Sequence, residues 1–404
     1  MKVQRVQRHT LSKNHKMFQM CDDLCFKSKN VYNYANYILR QHFIETKETI
    51  KYKDLSKMIK HSEPFKELGS NSAQMTLRML EKSWKSFFVS IKDWSKNPSK
   101  YLGKPKLPKY KDKNGRHICV LTNMQSQIKD GYLFFAFKRL KPFNNLFKIN
   151  FEGKHLQTRI VPKGNCYVLE IVYEKEIDIQ IKEPKNILGI DLGLNNFVTM
   201  VNNIGETPIV INGKGIKSYN QYWNKEISKY RSLAKTNNDV HWTNRLARLT
   251  TKRNNKMDYF THKASKWIID YCLLHNIDTL VIGKNKEWKQ ECKLNKVVNQ
   301  GFIQLPYDMF ISKLKYKCEE HGINFEETEE SYTSGTSFLD NEMPIKDNYN
   351  KARRVKRGLF KSNSGVLINS DVNGAYQIVK KVFPNAYANG IEGVGLHPLV
   401  INIV

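Results

Sequence analysis

Residues 187–203 read ILGIDLGLNNFVTMVNN, and this stretch decides how the second half of the chain folds. Its apolar runs on either side of Gly193 predict a buried strand, a turn and a second strand. One carboxylate, Asp191, lies inside the first run. Burying a carboxylate is costly unless it is paired or binds a metal. The alternative is that Asp191 caps the turn at Gly193.

The segments beyond this stretch alternate between helix and strand patterns. Residues 220–275 are mostly helical in pattern, and IDTLVIGKN (277–285) predicts a short buried strand. Three more elements follow: the helix MFISKLKYKCEEHGI (309–323), which Gly322 ends, the strand INFEETEESYTS (323–334), and the helix DVNGAYQIVKKVF (371–383). This order predicts a mixed α/β sheet over residues 185–404.

In the first half of the chain, the spacing of apolar residues changes once, from a helical to a strand-like pattern. Apolar residues at three-or-four spacing predict helices over residues 15–97, up to the break at Asn97-Pro98. Residues 100–182 read as extended structure: strand patterns at 131–140 and 146–153, then a hairpin at 158–177 around a Pro-Lys-Gly-Asn turn. The alternating first dozen residues fit one more strand of the same small barrel or sheet. The helical region is then an insertion between strands.

The net charge indicates a polyanionic partner. Lys and Arg number 67 against 38 Asp and Glu, a formal charge of +29. The basic clusters KPKLPKYKDK (104–113), KYRSLAK (229–235) and KARRVKRG (351–358) are spread along the chain, which suits a long nucleic acid. Membrane-surface binding is the competing hypothesis, but it concentrates charge in one segment. With no apolar run near the roughly 20 residues of a membrane span and no secretory signal, we expect a cytoplasmic, nucleoid-associated bacterial protein.

A second aspartate strengthens the interpretation of Asp191 as a metal ligand. Asp371 ends the strand pattern VLINSD and opens a helix, where it could simply be the N-cap. Two aspartates at strand ends of one basic α/β domain nevertheless indicate a two-metal phosphodiesterase site, in which carboxylates hold a pair of Mg²⁺ ions.

Cysteine usage argues against a zinc site. The seven cysteines are scattered and contain no CxxC pair. Cys21 and Cys25, four apart in a helical pattern, could place two ligands on one face, but no second pair has a fitting spacing. Buried small side chains are the favoured interpretation.

These motifs together resemble the TnpB family, transposon-encoded RNA-guided nucleases related to type V CRISPR effectors and to Fanzor proteins. GIDLGLNNFVT is similar to the first RuvC motif of that family, and INSDVNGAYQIVKKV to the third. IGKNKEWKQ and SYTSGTSFLD resemble its middle segments, and QMTLRMLEKSWKSFF followed by GKPKLPKYK resembles its helical lobe running into a barrel. The resemblance covers nearly the whole chain, in order.

The resemblance implies a multidomain α+β architecture. It has a β-barrel wedge domain at 1–14 and 100–184, an inserted helical recognition lobe at 15–99, and an RNase-H-like RuvC α/β nuclease domain at 185–404. The implied partners are a guide RNA and double-stranded target DNA, with a short target-adjacent motif and sequence choice by base pairing. The basic residues expected to bind nucleic acid are Lys104, Lys106, Lys109, Lys111, Arg231, Arg353, Arg354, Lys356 and Arg357.

One departure from the family concerns the third carboxylate. The second RuvC motif usually ends V-I-E, whereas TLVIGKN has Gly283 in the Glu position. Some branches, including Fanzor relatives, carry this Glu on the next strand before Tyr-Thr-Ser, and Glu330 fits that pattern. The resemblance therefore implies Asp191, Glu330 and Asp371 as catalytic ligands of two Mg²⁺ ions, for which Mn²⁺ could substitute. Strand alternation puts Glu329 on the opposite face; Glu329, Glu287 and Glu291 stay as lesser candidates.

The other departure concerns the family's zinc ribbon. No Cys lies between residues 335 and 370, which predicts a reduced, zinc-free insertion at about 335–366. Loss of the Glu at 283 leaves open a nuclease-inactive, RNA-guided DNA-binding protein that acts as a repressor. A transposase that joins DNA ends is a third hypothesis. The presence of both Asp191 and Asp371 favours a nuclease.

Overall fold

The structure, a computed structural model, describes residues 1–178, 182–284, 304–388 and 395–403, with the backbone alone at position 238. The chain divides into two compact units, Met1–Ile177 and Asp178–Val404. None of the described helices has both the length and the apolar character needed to cross a bilayer.

Four helices of the N-terminal unit confirm the helical pattern of residues 15–97. Their three-or-four spacing buries an apolar face in one core, to which the last helix contributes Leu77, Leu80 and Trp84. That helix ends at Lys96, immediately before the Asn97-Pro98 break. The helices are α1 (Phe18–Thr46), α2 (Tyr52–Ile59), α3 (Glu63–Leu68) and α4 (Ser70–Lys96).

The first two cysteines lie in this core. Cys21 and Cys25 are fully buried on α1, as is Cys119 nearby. Burial raises the pKa of the Cys21 thiol to about 12, so it stays protonated. The interpretation of Cys21 and Cys25 as buried small side chains is confirmed.

The strands of this unit form a four-stranded sheet and a separate hairpin. The sheet has the order β1-β6-β5-β2, with β1 antiparallel to β6, so a strand before the helices shares a sheet with strands after them. The predicted hairpin turns at Gly164, whose φ is 55°. The described pairing is open, and the barrel stays a prediction. The sheet strands are β1 (Lys2–Leu11), β2 (Cys119–Thr122), β5 (Lys154–Lys163) and β6 (Cys166–Glu176); the hairpin is β3 (Ser126–Lys129) and β4 (Tyr132–Phe135).

One strand prediction in this region was wrong, and another was confirmed only in part. The strand over 146–153 is absent from the described structure, which has one isolated bridge there, between Lys148 and Tyr132. Backbone bonds from Leu133 N to Phe147 O and from Ile149 N to Gly131 O follow the end of β4 without extending a ladder. The strand pattern of 131–140 stops at Phe135, and a 3₁₀ helix begins at Lys138.

The C-terminal unit is a six-stranded mixed sheet, as the alternating pattern predicted. Its order is β11-β10-β7-β8-β9-β14; β7, β10 and β11 are parallel, and β8 runs antiparallel to both neighbours. The strands are β7 (Ile187–Leu192), β8 (Asn196–Asn202), β9 (Ile209–Asn212), β10 (Thr279–Gly283), β11 (Asn324–Thr328) and β14 (Leu399–Ile401), and β12 (Leu359–Lys361) pairs with β13 (Leu367–Asn369) outside the sheet.

Helices cover both faces of this sheet. Leu188, Ile190 and Leu192 of β7 belong to a core shared with the second and third helices of the unit, whereas Ile187 belongs to a core shared with the last helix. Because side chains alternate along a strand, Asp191 lies on the same face as Ile187, toward the last helix. The helices are α5 (Lys214–Asn238), α6 (Asn244–Leu274), α7 (Tyr307–His321) and α8 (Ser370–Val382).

Candidate active site

Asp191 lies near the carboxyl end of β7, against the first turns of α8. Close approach of this helix requires small residues at two points. A Cβ added at Gly189 would lie 2.3 Å from Val379 Cγ2, and one added at Gly374 would lie 3.1 Å from Asp191 Oδ2. The helix backbone therefore passes directly over the Asp191 carboxylate. Sequence reasoning missed Gly374, although a glycine inside a helix pattern is a sign of close packing.

Glu330 fills the space that Gly283 leaves open. A Cβ added at Gly283 would lie 2.6 Å from Glu330 Cγ and 2.8 Å from its Oε1. These distances are shorter than any van der Waals contact, so the Glu330 side chain occupies the position of the missing side chain. Glu329, in contrast, is exposed and accepts a hydrogen bond from the Ser331 hydroxyl. The structure thus brings Glu330, and not Glu329, to the end of β10.

The reason for this difference corrects the sequence argument. The strand predicted over 323–334 ends at Thr328, so Glu329 and Glu330 follow the strand instead of alternating along it. Its partner β10 ends at Gly283, which pairs with Thr328, and among the described residues one further backbone bond follows, from Lys284 N to Thr328 O at 2.7 Å. The two other lesser candidates, Glu287 and Glu291, lie outside the described residues.

Asp371 lies in the first turn of α8 and is not its N-cap, which corrects the capping alternative. The cap is Asn369, whose side chain accepts from Asp371 N at 2.9 Å and from Val372 N at 3.2 Å. The Asp371 carboxylate is therefore left for other contacts. It accepts a hydrogen bond from Asn196 Nδ2 at 2.7 Å, and Asn196 at the start of β8 is a second residue that sequence reasoning missed.

The three carboxylates interact electrostatically. Burial, then the charge of Glu330, then that of Asp371 raise the pKa of Asp191 well above its usual range, and Arg354 opposes them. Burial raises the pKa of Glu330 to about 7. Burial also raises the pKa of Tyr307, with further contributions from Asp191 and Glu330. Burial and the neighbouring carboxylates thus disfavour the charged forms of Asp191 and Glu330.

The chemistry of the three carboxylates suits a hard divalent cation. Mg²⁺ prefers carboxylate oxygens, and a cation would offset the cost of burying a charged Asp191 as well as its repulsion from Glu330 and Asp371. Within the parts of the chain that the structure describes, no three His, Cys, Asp or Glu side chains lie close enough to hold an ion as they stand. The three carboxylates thus lie near the carboxyl ends of the parallel strands but do not form a complete coordination shell.

Arg353 and Arg354 are adjacent in the basic loop at 351–358, but their environments differ. Arg354 is 43% exposed, and its Nη2 lies 3.8 Å from Asp371 Oδ1, at the edge of the carboxylate cluster. Both terminal nitrogens of Arg353 instead face Glu342, at 2.5 and 2.8 Å. A nucleic-acid contact by Arg353 stays a prediction, and its described contacts are structural. Lys356 and Arg357 are exposed on the same loop.

The other basic candidates are exposed, and three of them lie close to aromatic rings. Lys104 Nζ lies 5.6 Å from the Trp94 ring centre and Lys111 Nζ lies 4.8 Å from that of Tyr32. The segment between them has no regular structure and is held by α1, where Asn36 Nδ2 donates to Pro108 O at 3.0 Å. Three further candidates are exposed: Lys106, Lys109 and Arg231, the last with its guanidinium 5.8 Å from the Trp242 ring centre.

Comparison with known proteins gives two family matches in the C-terminal part of the chain. The profile of OrfB_IS605, described as a probable transposase, matches residues 170–289. The profile of the Cas12f1-like TNB domain matches residues 307–378. A TnpB-like protein, ORF457 of Acidianus two-tailed virus, is 25% identical over 395 residues, covering 88% of this chain and 81% of its own length.

Two solved structures align with most of the chain at low similarity. A Cas12f1–sgRNA–target DNA complex aligns with a TM-score of 0.38 and 15% identity, covering 93% of this chain and 98% of the other. A CRISPR-Cas12f ternary complex aligns with a TM-score of 0.39 and 12% identity, covering 89% of this chain and 80% of the other.

Proposed function

We propose, from the premise that this chain is a TnpB-family protein, that it is an RNA-guided DNA endonuclease with one nuclease centre. The two profile matches and the TnpB-like relative support the premise. The observation that carries the nuclease part is the position of Glu330 over Gly283. It supplies a third carboxylate beside Asp191 at the position where the second RuvC motif lacks one.

In this proposal the three carboxylates hold two Mg²⁺ ions, and Mn²⁺ substitutes for them. When bound, the ions supply activation of the attacking water and stabilisation of the leaving oxygen. The chain's own residues orient the ligands: Asn196 fixes the Asp371 carboxylate through its 2.7 Å hydrogen bond. Arg354, at the exposed edge, binds a phosphate oxygen of the DNA strand being cut.

Guide RNA and target DNA are the proposed partners. The charge of +29 and the exposed lysines on the 104–111 segment provide a surface for a phosphate backbone. Base pairing with the guide would select the sequence, while the protein contacts backbone and a short flanking motif. The Lys104 side chain lies near the half-buried Trp94 ring, an arrangement that also favours unpaired bases.

The test is a cleavage assay with the ribonucleoprotein. The protein is purified with the RNA that it retains, that RNA is sequenced, and matched duplex DNA is added with Mg²⁺. We expect cleavage that requires the matching sequence and the cation. Asp191→Ala should abolish cleavage and leave guide binding nearly unchanged. Binding of matched DNA without any cleavage would refute the nuclease and favour the nuclease-inactive, RNA-guided DNA-binding protein.

A further inference from the structure

Hydrogen bonds hold the segment between β11 and β13 against one face of α8. Asn373, fully buried, donates from Nδ2 to Thr336 O at 2.8 Å and accepts from Phe338 N at 3.0 Å. The residues one and two turns further along the same face continue this attachment. They are Gln377, which donates to Glu342 O at 3.1 Å, and Lys380, which donates to Asn341 O at 2.7 Å.

Glu342 is the centre of this fastened segment. Its two carboxylate oxygens accept the paired bonds from Arg353, and they also accept from Ser337 N at 2.8 Å and from Asn363 Nδ2 at 3.2 Å. Each side chain of the Arg353–Glu342 pair is only 16% exposed. Two parallel bonds fix the guanidinium plane as well as its position. The Glu342 side chain therefore links Ser337, Arg353 and Asn363, which lie up to 26 positions apart in the sequence.

The ion pair is next to the arginine that reaches the carboxylate cluster. Arg353 and Arg354 are consecutive, and a 3₁₀ turn at Lys351–Arg353 leads into Arg354. Arg354 is 43% exposed and its described contact is the 3.8 Å approach to Asp371 Oδ1. An exposed arginine holds one position poorly by itself, because ordering its long side chain costs rotamer entropy. The fixed backbone at Arg353 reduces the freedom of its neighbour.

We propose that Glu342 is a positioning residue for the nuclease centre: by anchoring Arg353, it holds Arg354 against Asp371. This inference rests on the proposed function and adds to it a residue far from the RuvC motifs. The absence of cysteines between residues 335 and 370 predicted a reduced, zinc-free insertion here, and in the described residues an ion pair and hydrogen bonds hold this segment. The Glu342 carboxylate thus has a part in cleavage without touching DNA.

The first experiment is a double-mutant cycle on the cleavage rate. The variants are Glu342→Gln, Arg354→Ala and both together, assayed as ribonucleoproteins under single-turnover conditions. Glutamine keeps the size of the side chain and one acceptor oxygen but loses the charge. If Glu342 acts through Arg354, Glu342→Gln slows cleavage about tenfold alone and less than about twofold in the Arg354→Ala background. Equal slowing in both backgrounds overturns the proposal.

The second experiment does not depend on nuclease activity. Amide hydrogen exchange of residues 351–358 should become faster in Glu342→Gln, because the anchor of that loop is lost. Asp347→Asn is the matched control, an exposed carboxylate of the same segment, and should change neither exchange nor cleavage. Unchanged exchange in Glu342→Gln overturns the proposal even if the protein cuts DNA. A wild-type chain that does not cut refutes the proposed function, and exchange then decides whether Glu342 holds this loop.

Discussion

The substitution Glu330→Gln should make the protein more stable and less active at the same time. Burial raises the pKa of Glu330 to about 7, above the 4.5 of a solvated glutamate. The folded protein therefore binds this proton more tightly than the unfolded chain does. Folding stability is lost as the pH rises from about 4.5 to about 7, because ionising the carboxylate costs more in the folded state. Glutamine mimics the neutral acid and removes that loss.

The magnitude follows from the size of the shift. A rise of about 2.5 pKa units, at 1.36 kcal/mol each, gives roughly 3 kcal/mol at pH 8 as an upper value. For a folding unit of this size, roughly 2–4 °C of melting temperature corresponds to 1 kcal/mol. Without divalent cations, Glu330→Gln should therefore melt up to about 10 °C higher than wild type at pH 8. The difference should shrink toward zero at pH 5, where the folded wild type is already protonated.

The assay is differential scanning calorimetry in EDTA at pH 5 and pH 8. Glu329→Gln is the control, since its exposed side chain should give no gain at either pH. Adding Mg²⁺ should stabilise wild type more than Glu330→Gln, because the cation binds only where the carboxylates remain. Guided cleavage by Glu330→Gln should be nearly abolished. An equal melting temperature at pH 8, or a gain that persists at pH 5, would refute the reasoning.

Three further predictions concern the same centre and the basic surface. Gly283→Ala places a methyl group 2.6 Å from both Glu330 Cγ and Ile378 Cδ1. We expect the free energy of unfolding, measured in urea, to fall by roughly 1–3 kcal/mol and cleavage to slow. An unaltered cleavage rate would count against Glu330 as a ligand. Asn369→Ala removes the cap of α8 and should cost about 1 kcal/mol of stability, measured by the same unfolding, with Asn369→Asp retaining most of it. The last prediction concerns the four lysines of the extended segment, Lys104, Lys106, Lys109 and Lys111. Neutralising them should weaken RNA binding and reduce the slope of log affinity against log salt concentration by roughly one for each lost phosphate contact. A filter-binding titration at several salt concentrations measures this slope, and an unchanged slope would make the segment ordinary solvated surface.

The sequence predicted best the features that depend on local periodicity. The buried pattern around Asp191 identified β7 and β8, because a strand enclosed on both faces has a continuous apolar run. The helices up to Lys96 were predicted because their three-or-four spacing spans many turns. Glu330 was selected by resemblance, and the structure gives the physical reason, since only Gly283 leaves space for it.

The features that were missed depend on contacts between distant positions. Asn369 and Asp371 both suit a helix N-cap, and which of them caps is decided by where α8 begins against β7. Residues 146–153 have strand-like alternation, but β4 offers them only one bridging position, at Tyr132. The nucleic-acid contact of Arg353 stays a prediction, but nothing in the local sequence reveals that Glu342, eleven positions earlier, accepts hydrogen bonds from both of its terminal nitrogens.

The close contact between Glu330 and Gly283 also constrains how such a centre could change during evolution. A glutamate at 283 and a glutamate at 330 would compete for one volume, because even a Cβ at 283 lies within 3 Å of the Glu330 side chain. A lineage that acquires the second acid before it discards the first therefore carries a steric conflict at this position. A route without that conflict passes through a chain with a small residue at both positions, which lacks the third carboxylate, or changes both at once. In a variant with a small residue at 330, Gly283→Glu should restore cleavage, whereas beside Glu330 it should not improve it.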